Sequence, residues 1–166
     1  MLLPIVDEND NEIGLKERDD LLRADIYRVS CVWITDSNGR HLLAQRALTK
    51  KHSPGKWGPA AAGTVEAGET YESNIIKEIE EELGISLSVE ELRMGPKIKC
   101  ERETSTYFSQ WYFALVDKDV SEFVFPEREV MALRWFTEEE FREALVERPE
   151  DFLQIIHEHT EKIFAQ

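Results

Sequence analysis

The sequence predicts an α+β fold in which helices pack on a mixed β-sheet, and three observations lead to this class. The runs 27–35 and 106–116 are rich in β-branched and aromatic residues, which is typical of strands. The segment 71–83 has apolar residues at helical spacing. Strand-like and helix-like segments interleave along the chain, and most neighbouring strands are expected to be antiparallel, so a mixed sheet covered by helices fits best.

The first part of the chain is expected to contribute a hairpin and two further strands. The turn residues DENDN lie between two short apolar segments, which predicts an N-terminal β-hairpin over 4–16. Residues 18–22 are expected to form a helical turn. The strand 27–35 ends at the turn sequence DSNGR, and 41–46 is the returning strand. The stretch HSPGKWGP that follows is interpreted as a loop.

The strongest predicted helix covers residues 71–83. Thr70 is placed to cap its N-terminus, and Gly84 lies where a left-handed C-terminal cap belongs. At about 100° per residue, three apolar residues fall on the side expected to pack. They are Ile76, Ile79 and Leu83.

The second half is expected to supply more strands and two helices. Thr137 and Glu140 form a capping-box pattern at the start of a helix that Pro149 ends. Apolar residues at helical spacing over 151–164 predict a final amphipathic helix, so the C-terminal helices are expected within 138–165. The predicted strands of this half are 97–100, 106–116 and 131–136.

Length and charge restrict the function. The chain has 166 residues, which predicts one domain over 1–166, and a formal net charge of -14. Such a surface has no general attraction for nucleic-acid polymers or anionic membranes, so neither is an expected partner, and an anionic substrate would need clustered basic residues or a metal ion. No apolar run approaches the ~18 residues of a membrane span, and the N-terminus has no basic leader, which favours a cytoplasmic protein.

Four glutamates, Glu78, Glu80, Glu81 and Glu82, lie on about one turn near the C-terminal end of the helix 71–83. Glu78, Glu81 and Glu82 are helical neighbours placed roughly opposite the packing side, and Glu80 is expected to be solvated. Like charges at this spacing repel, and the helix dipole disfavours them at this end. Because Mg²⁺ binds carboxylates together with substrate phosphates, these residues form a candidate metal site; a solvated acidic face is the alternative.

The surrounding residues resemble the Nudix box. Gly63 is followed after five residues by Glu69 and, after seven more, by KEIEEELGI. The family pattern G-x5-E-x7-R-E-U-x-E-E-x-G-U, in which U is aliphatic, is matched at every specified position except Lys77, which replaces arginine. Lysine keeps the positive charge but lacks the planar fork. The resemblance implies the Nudix fold, a mixed sheet in an α/β/α sandwich, with the box 63–85 as a loop–helix–loop.

The resemblance also implies a set of metal ligands. Glu78 and Glu82 would bind Mg²⁺ or Mn²⁺, and the Gly63 carbonyl would be a further ligand. Glu81 would be either a third ligand or the base that activates water, and Glu78 is counted among the catalytic residues with it.

Other roles implied by the resemblance concern the loop and the base. Glu69 would steady the loop and Lys77, and Lys77 would take the place of the arginine that orients a catalytic glutamate. In this family, the base is sometimes a glutamate from a distant loop. Glu127 or Glu129 could serve here, although a solvated loop is the favoured interpretation of both.

The implied activity is that of a metal-dependent pyrophosphohydrolase, which cleaves a nucleoside diphosphate linked to another group. Its partner would be a small-molecule diphosphate. Arg46 and Lys56 lie in the one basic segment ahead of the acidic helix, QRALTKKHSPGKW, and are the candidates for contact with substrate phosphate. A solvated basic loop is the alternative interpretation.

Part of the chain also resembles isopentenyl-diphosphate isomerase, another enzyme of the Nudix fold, through RALTKKHSPGKW and the acidic N-terminal hairpin sequence. The isomerase needs a cysteine that aligns with Ala62 here. Its histidine ligands align with Thr64 and, approximately, with Arg28. Cys31 and Cys100 lie at other places in the sequence, and they are too few for a disulfide framework.

Two alternatives to the hydrolase therefore stay open at this point. One is an isomerase-like enzyme, which the residue types at the catalytic positions disfavour. The other is a catalytically inactive nucleotide-binding Nudix module, for which Lys77 is the only argument. The patterns leave the substrate, the general base, the number of metal ions and a homodimeric state open.

Overall fold

The structure is a computed structural model, and it describes residues 1–164. Strands and helices alternate largely as predicted. The strands are β1 (Leu2–Val6), β2 (Glu12–Glu17), β3 (Ile26–Thr35), β4 (His41–Arg46), β5 (Trp57–Gly58), β6 (Ala61–Thr64), β7 (Arg93–Glu101), β8 (Thr106–Leu115) and β9 (Val130–Phe136). The helices are α1 (Tyr71–Leu83), α2 (Glu138–Glu147) and α3 (Gln154–Phe164).

The long strand β3 is the centre of the sheet. β8 pairs with it in parallel over its whole length, and β7 pairs antiparallel with the outer edge of β8. On its other edge, β3 pairs antiparallel with β1, β6 and β4, while β9 and β5 add to β4. One parallel pair among antiparallel ones makes the sheet mixed, as predicted.

Helices cover both faces of this sheet. On one face, Ile79 of α1 packs in a buried cluster that includes Val32 of β3. On the other face, α2 and α3 close an aromatic-rich cluster in which the rings of Phe141 and Trp33 lie 5.6 Å apart. The arrangement confirms the predicted α/β/α layers. Since successive residues of β3 point to opposite faces, one strand serves both cores.

α1 begins and ends at the predicted residues. The Thr70 hydroxyl accepts a hydrogen bond from the Ser73 N–H at 3.1 Å, and Gly84 has a left-handed φ of 66°. A Cβ on Gly84 would lie 2.3 Å from the carbonyl oxygen of Val124. The end of the helix therefore needs glycine both for its conformation and for space.

The buried side of α1 is rotated from the predicted one. Ile75 is fully buried, whereas Ile76 is only half-buried, so the prediction of Ile76 as a core residue is wrong. Ile75 precedes Ile79 by four residues, which puts both in one strip along the helix. Glu78 and Glu82 consequently border this strip, and their predicted place roughly opposite the packing side is wrong as well.

Other element ends differ from the predictions by a few residues. β1 and β2 pair as an antiparallel hairpin where one is predicted over 4–16. α3 begins at Gln154 because Pro149–Asp151 form a separate 3₁₀ turn. The predicted range 138–165 for the C-terminal helices ends at a residue outside the described part of the chain. The sequence patterns did not indicate the short strands β5 and β6.

Candidate active site

The loop that leads into α1 brings a glycine backbone and a glutamate side chain together. Gly63 lies in β6, where it pairs with Ser30 of β3, and Glu78 projects toward it from α1. A Cβ on Gly63 would lie 2.2 Å from the carboxyl carbon and Oε1 of Glu78. Only glycine leaves room for the carboxyl group at this point, so the predicted neighbours Gly63 and Glu78 do meet.

A second carboxyl group, that of Glu82, lies against the same strand. Its Oε2 accepts a hydrogen bond from the Ala62 N–H at 3.1 Å. Burial raises the pKa of Glu82 to about 7, and burial together with the nearby Glu82 charge raises the pKa of Glu78 to about 7. Both groups resist ionisation chiefly because burial removes the water that would stabilise a negative charge, and at Glu78 the charge of Glu82 adds to this effect.

The two carboxyl groups are of a type that hard divalent cations bind. Mg²⁺ and Mn²⁺ take carboxylate oxygens such as those of Glu78 and Glu82, and the predicted ligand role of the Gly63 carbonyl stays a prediction. Within residues 1–164, no three acidic, His or Cys side chains are gathered into a complete metal site. Mg²⁺ needs no such cage, because it ordinarily keeps several waters and binds substrate phosphates. Glu81 is exposed, as Glu80 is, and its predicted role stays a prediction.

Lys77 lies on a different side of α1 and ties the helix to the loop before it. Its Nζ donates to Glu69 Oε1 at 2.6 Å and to Glu66 Oε1 at 3.2 Å. Glu69 Oε2 accepts from the Asn74 side-chain amide at 2.8 Å. Although burial acts to raise the pKa of Glu69, these hydrogen bonds lower it below its ordinary value. Lys77 and Glu69 thus meet as the Nudix resemblance implies, even with lysine in place of arginine.

The basic segment ahead of the box follows β4. Burial, the largest cause, raises the pKa of Glu82; the charges of Lys50 and Arg46 act to lower it, and the charge of Glu129 acts to raise it. Arg46 Nε donates to the His52 carbonyl at 3.1 Å. The Lys56 carbonyl accepts from the Arg46 N–H at 3.0 Å, and the Lys56 side chain is half-buried. Contact of Arg46 and Lys56 with a substrate stays a prediction.

Sequence reasoning missed how one acidic residue is placed. Glu129, interpreted as part of a solvated loop, is half-buried and forms an ion pair with Lys50. Glu127, two residues earlier, is exposed in agreement with that interpretation. No sequence signal joins two residues so far apart in the chain, because only the pairing of β4 with β9 brings them together.

The positions that would carry isomerase chemistry hold other residue types. Ala62 lies in β6 beside the carboxyl groups, and Arg28 Nε is bound to Asp10 Oδ1 at 2.7 Å. Cys31 and Cys100 are each 2% exposed and belong to the core on the α2–α3 side of the sheet. The side chain of Ala62 packs against the same core, so the position that aligns with the isomerase cysteine holds a methyl group there.

Comparison with known proteins assigns the family. The NUDIX domain family matches residues 26–155 of this chain, and the chain therefore belongs to the Nudix family. A crystal structure of a protein from Deinococcus radiodurans superposes with a TM-score of 0.80 at 24% identity, covering 95% of this chain and 96% of that one. This likeness confirms the predicted Nudix fold.

Two similar proteins have informative names. A prenyl-diphosphate phosphatase from Methanosarcina mazei is 29% identical over 163 residues, which is 97% of this chain and 94% of that protein. An isopentenyl-diphosphate Δ-isomerase from Streptomyces avermitilis is 39% identical over 94 residues, which is 54% of this chain and 46% of the isomerase. The chain thus spans about half the length of the isomerase that it matches, but nearly all of the phosphatase.

Membership of the Nudix family implies a hydrolase acting on a small diphosphate compound, in a family that typically depends on a divalent metal ion. Within residues 1–164, no helix is long and apolar enough to cross a membrane.

Proposed function

We propose that this protein is a divalent-metal-dependent hydrolase that cleaves the phosphoanhydride of a small organic diphosphate. The observation that carries the proposal is the pair of carboxyl groups, Glu78 and Glu82, held against the Gly63–Ala62 backbone with raised pKa values. A cation would stabilise the ionised form of both carboxyl groups, which burial disfavours. The bound cation would in turn attract the negative charge of a diphosphate.

The residues of the site suggest separate roles in metal binding and in proton transfer. Glu78, Glu82 and the Gly63 carbonyl would hold Mg²⁺, for which Mn²⁺ could substitute. The bound ion would neutralise diphosphate charge and lower the pKa of a coordinated water. Glu81, exposed on the same helix, would either complete the ligand set or accept the proton of the attacking water.

The contacts of Lys77 would position the loop that precedes α1. By holding Glu69 and Glu66, Lys77 fixes the loop that carries Gly63 into α1. The lysine thereby performs the structural task of the arginine in the family pattern, which supports a working enzyme over an inactive nucleotide-binding module. The isomerase alternative is disfavoured, because the position that aligns with the isomerase cysteine holds Ala62.

For the substrate, the first candidate is a nucleoside diphosphate linked to another group. Arg46 and Lys56 would contact its phosphates and offset the overall acidity of the chain locally. A prenyl diphosphate is the second candidate, and the specific observation in its favour is the similarity to the Methanosarcina mazei phosphatase over nearly the full length of both chains. In both substrates a cation held by Glu78 and Glu82 would neutralise the diphosphate, which is internal in the first and terminal in the second.

The test is product release from a panel of diphosphates with Mg²⁺ or Mn²⁺. The panel contains nucleotide sugars, dinucleotides, nucleoside triphosphates, coenzyme A and prenyl diphosphates of several lengths. We expect turnover of one class that requires the metal, collapses in Glu82→Gln and persists in the matched control Glu80→Gln, which changes an exposed carboxylate on the same helix. Metal-dependent turnover that survives Glu82→Gln would contradict the assigned site, and silence across the panel would contradict the hydrolase.

A further inference from the structure

A cleft opens at the end of the sheet that lies away from the candidate active site. It has a volume of about 400 Å³ and is lined by residues of β3, β4, β7, β8 and α3, together with the turn before β7. Thr35, at the end of β3, lies on its wall, and Ser30, five residues earlier, pairs with Gly63 of the candidate active site. Five residues of extended strand span about 16 Å, so the cleft is separate from the Glu78–Glu82 pair.

The walls of this cleft are mainly aromatic. Trp33, Phe113 and Phe164 all line it. The imidazole ring of His41, which also lines the cleft, lies 4.8 Å from the Phe164 ring and 5.6 Å from the Trp33 ring. Such rings offer flat apolar surfaces against which a planar ligand packs by stacking or by an edge-to-face contact. The volume also falls within the ordinary range of small-molecule pockets.

His41 has one hydrogen-bonding atom that the protein leaves unpaired. The residue is 7% exposed, and its Nδ1 accepts a hydrogen bond from Trp33 Nε1 at 3.0 Å. A neutral imidazole that accepts at Nδ1 carries its proton on Nε2. Burial lowers the pKa of His41, which favours this neutral form. Nε2 is buried and has no hydrogen-bond partner among residues 1–164, so the imidazole keeps one N–H to donate.

This unpaired donor indicates what a ligand of the cleft must supply. A buried N–H without an acceptor has lost its water and gained nothing in return, which costs free energy. A ligand that places an acceptor atom against Nε2 of His41 recovers that cost. The acceptor must lie in or near the plane of the ligand ring, because the surrounding walls are flat aromatic faces.

The charged residues of the cleft favour a ligand without net charge. Glu91 and Arg93 line it with opposite charges, and both are exposed. The Glu91 carboxylate accepts a hydrogen bond from the Ser88 N–H at 2.8 Å, and the Arg93 guanidinium lies 4.5 Å over the Phe113 ring. Because both charges already have partners within the protein, neither of them calls for an ionic ligand.

We propose that this cleft binds an uncharged heteroaromatic ring, which packs on the aromatic walls and accepts a hydrogen bond from His41 Nε2 through a ring nitrogen or a carbonyl oxygen. Trp33 acts as a positioning residue, because its bond to Nδ1 holds the imidazole in the tautomer that donates from Nε2. The site goes beyond the proposed function, since it uses none of the residues assigned to diphosphate hydrolysis.

The test compares two ligands of the same shape, quinoline and naphthalene, which differ by one ring nitrogen. The full chain is titrated into each ligand at pH 8, where quinoline is uncharged, and binding is followed by the NMR signals of the ligand. We expect quinoline to bind with a Kd below about 1 mM.

His41→Asn tests the hydrogen bond from Nε2. The asparagine oxygen can accept from Trp33 near the place of Nδ1, but no atom of asparagine reaches the place of Nε2. The preference for quinoline over naphthalene should therefore fall about three- to tenfold, the size of one neutral hydrogen bond. Naphthalene affinity should stay within about twofold of the wild type. An unchanged preference would overturn the proposal.

Leu115→Trp tests the place of binding. Leu115 lines the cleft and is 64% exposed, so a larger ring there should obstruct the ligand and weaken quinoline binding at least about fivefold. Leu22→Trp is the matched control, because Leu22 is 65% exposed and lies before β3, at the opposite end of that strand. Quinoline should bind equally well to Leu22→Trp, to Glu82→Gln and to the wild type.

The remaining outcomes all decide the proposal. Failure of the wild type to bind quinoline would overturn it, and so would binding that survives Leu115→Trp or is lost in Glu82→Gln. Thermal melting of each variant checks folding. If His41→Asn melts early, the indole N–H signal of Trp33 in the wild type takes its place. Quinoline should shift this signal more than naphthalene does, because Trp33 donates to the same imidazole, and equal shifts would overturn the proposal.

Discussion

The carboxyl group of Asp10 and those of Glu78 and Glu82 are all largely shielded from solvent next to α1, yet the protein surrounds them differently. Asp10, at the tip of the N-terminal hairpin, is bound by Arg28 at 2.7 Å, by Lys97 and by the Tyr71 hydroxyl at 3.1 Å. Burial acts to raise the pKa of Asp10, but the bonds from Lys97 and Arg28 outweigh it and lower the pKa below its ordinary value.

Within residues 1–164, no Lys or Arg side chain is bonded to the Glu78 and Glu82 carboxyl groups of the proposed active site. Glu82 accepts one backbone hydrogen bond from Ala62, and Glu78 lies against the backbone of Gly63. Their pKa values are raised to about 7. The difference separates a carboxylate with a structural role from the two that we propose as metal ligands. The chain itself neutralises Asp10, whereas Glu78 and Glu82 would gain from the charge of a cation.

The largest predicted effect is the loss of hydrolysis when the Glu82 carboxylate is removed. Glu82→Gln keeps the shape and the Ala62 contact but removes the charge that a cation needs. We expect hydrolysis to fall by roughly 100-fold or more, comparable to the loss of one key electrostatic contact in an active site. Steady-state rates at saturating Mg²⁺ measure this effect, and a loss smaller than tenfold would count against a ligand role.

Substitution of Asp10 should lower the stability of the protein rather than its rate of hydrolysis. Asp10→Asn leaves Arg28 and Lys97 without their shared anion, and we expect the free energy of unfolding to fall by about 2 to 4 kcal/mol. Asparagine tolerates the positive φ of 63° at this position, so the substitution tests charge and not backbone strain. Urea denaturation measures the change.

Glu8→Gln is the matched control for Asp10→Asn. Glu8 also pairs with a lysine, Lys99, but its side chain is 70% exposed, so its removal should cost well under about 1 kcal/mol. Equal effects of the two substitutions would show that burial does not distinguish them, and the comparison would then fail.

The same Glu82→Gln variant should stabilise the metal-free protein. A carboxyl group that titrates near 4.5 when unfolded and near 7 when folded binds more protons in the folded state between these values. Stability should therefore decline as pH rises from about 4.5 to about 7, and Glu82→Gln should recover about 1 to 3 kcal/mol at pH 8. Denaturation of both proteins at pH 5 and pH 8 with a chelator tests the sign, and a gain in stability from Glu82→Gln that is no larger at pH 8 than at pH 5 would contradict it.

The last prediction concerns Lys77. Lys77→Met should release Glu69 and lower kcat about 10- to 100-fold, as for other residues that orient ligands. Lys77→Arg should stay within a few-fold of the wild type, because it keeps the charge and the reach to Glu69. Rates of both variants at saturating substrate measure this. A loss in Lys77→Arg as large as that in Lys77→Met would show that a positive charge at position 77 is not enough to maintain kcat.

The sequence was most informative where a function depends on neighbours along the chain. The caps of α1 at Thr70 and Gly84 follow from local spacing, and the meeting of Lys77 with Glu69 is what the Nudix resemblance implies. The helical wheel was less reliable, because Glu78 and Glu82 were expected opposite the core and instead border it. An error of one residue in the apolar strip, Ile76 for Ile75, accounts for that rotation.

Contacts between distant segments left no local signal. The parallel pairing of β3 with β8, the capture of the hairpin residue Asp10 by Lys97 and the Lys50–Glu129 pair each join parts of the chain that only the finished sheet brings together. Each of these charged residues, considered alone in the sequence, is typical of a solvated surface. Their roles became visible only from burial and from the identity of the partner.

The central claim, that the Glu78–Glu82 pair awaits a cation, is tested most directly by calorimetric titration of Mn²⁺ into the metal-free protein at pH 7.5. We expect the wild type and Glu80→Gln to bind the ion with similar affinity and Glu82→Gln to bind it at least tenfold more weakly. Equal affinity of Glu82→Gln and the wild type would place the metal elsewhere and contradict the account.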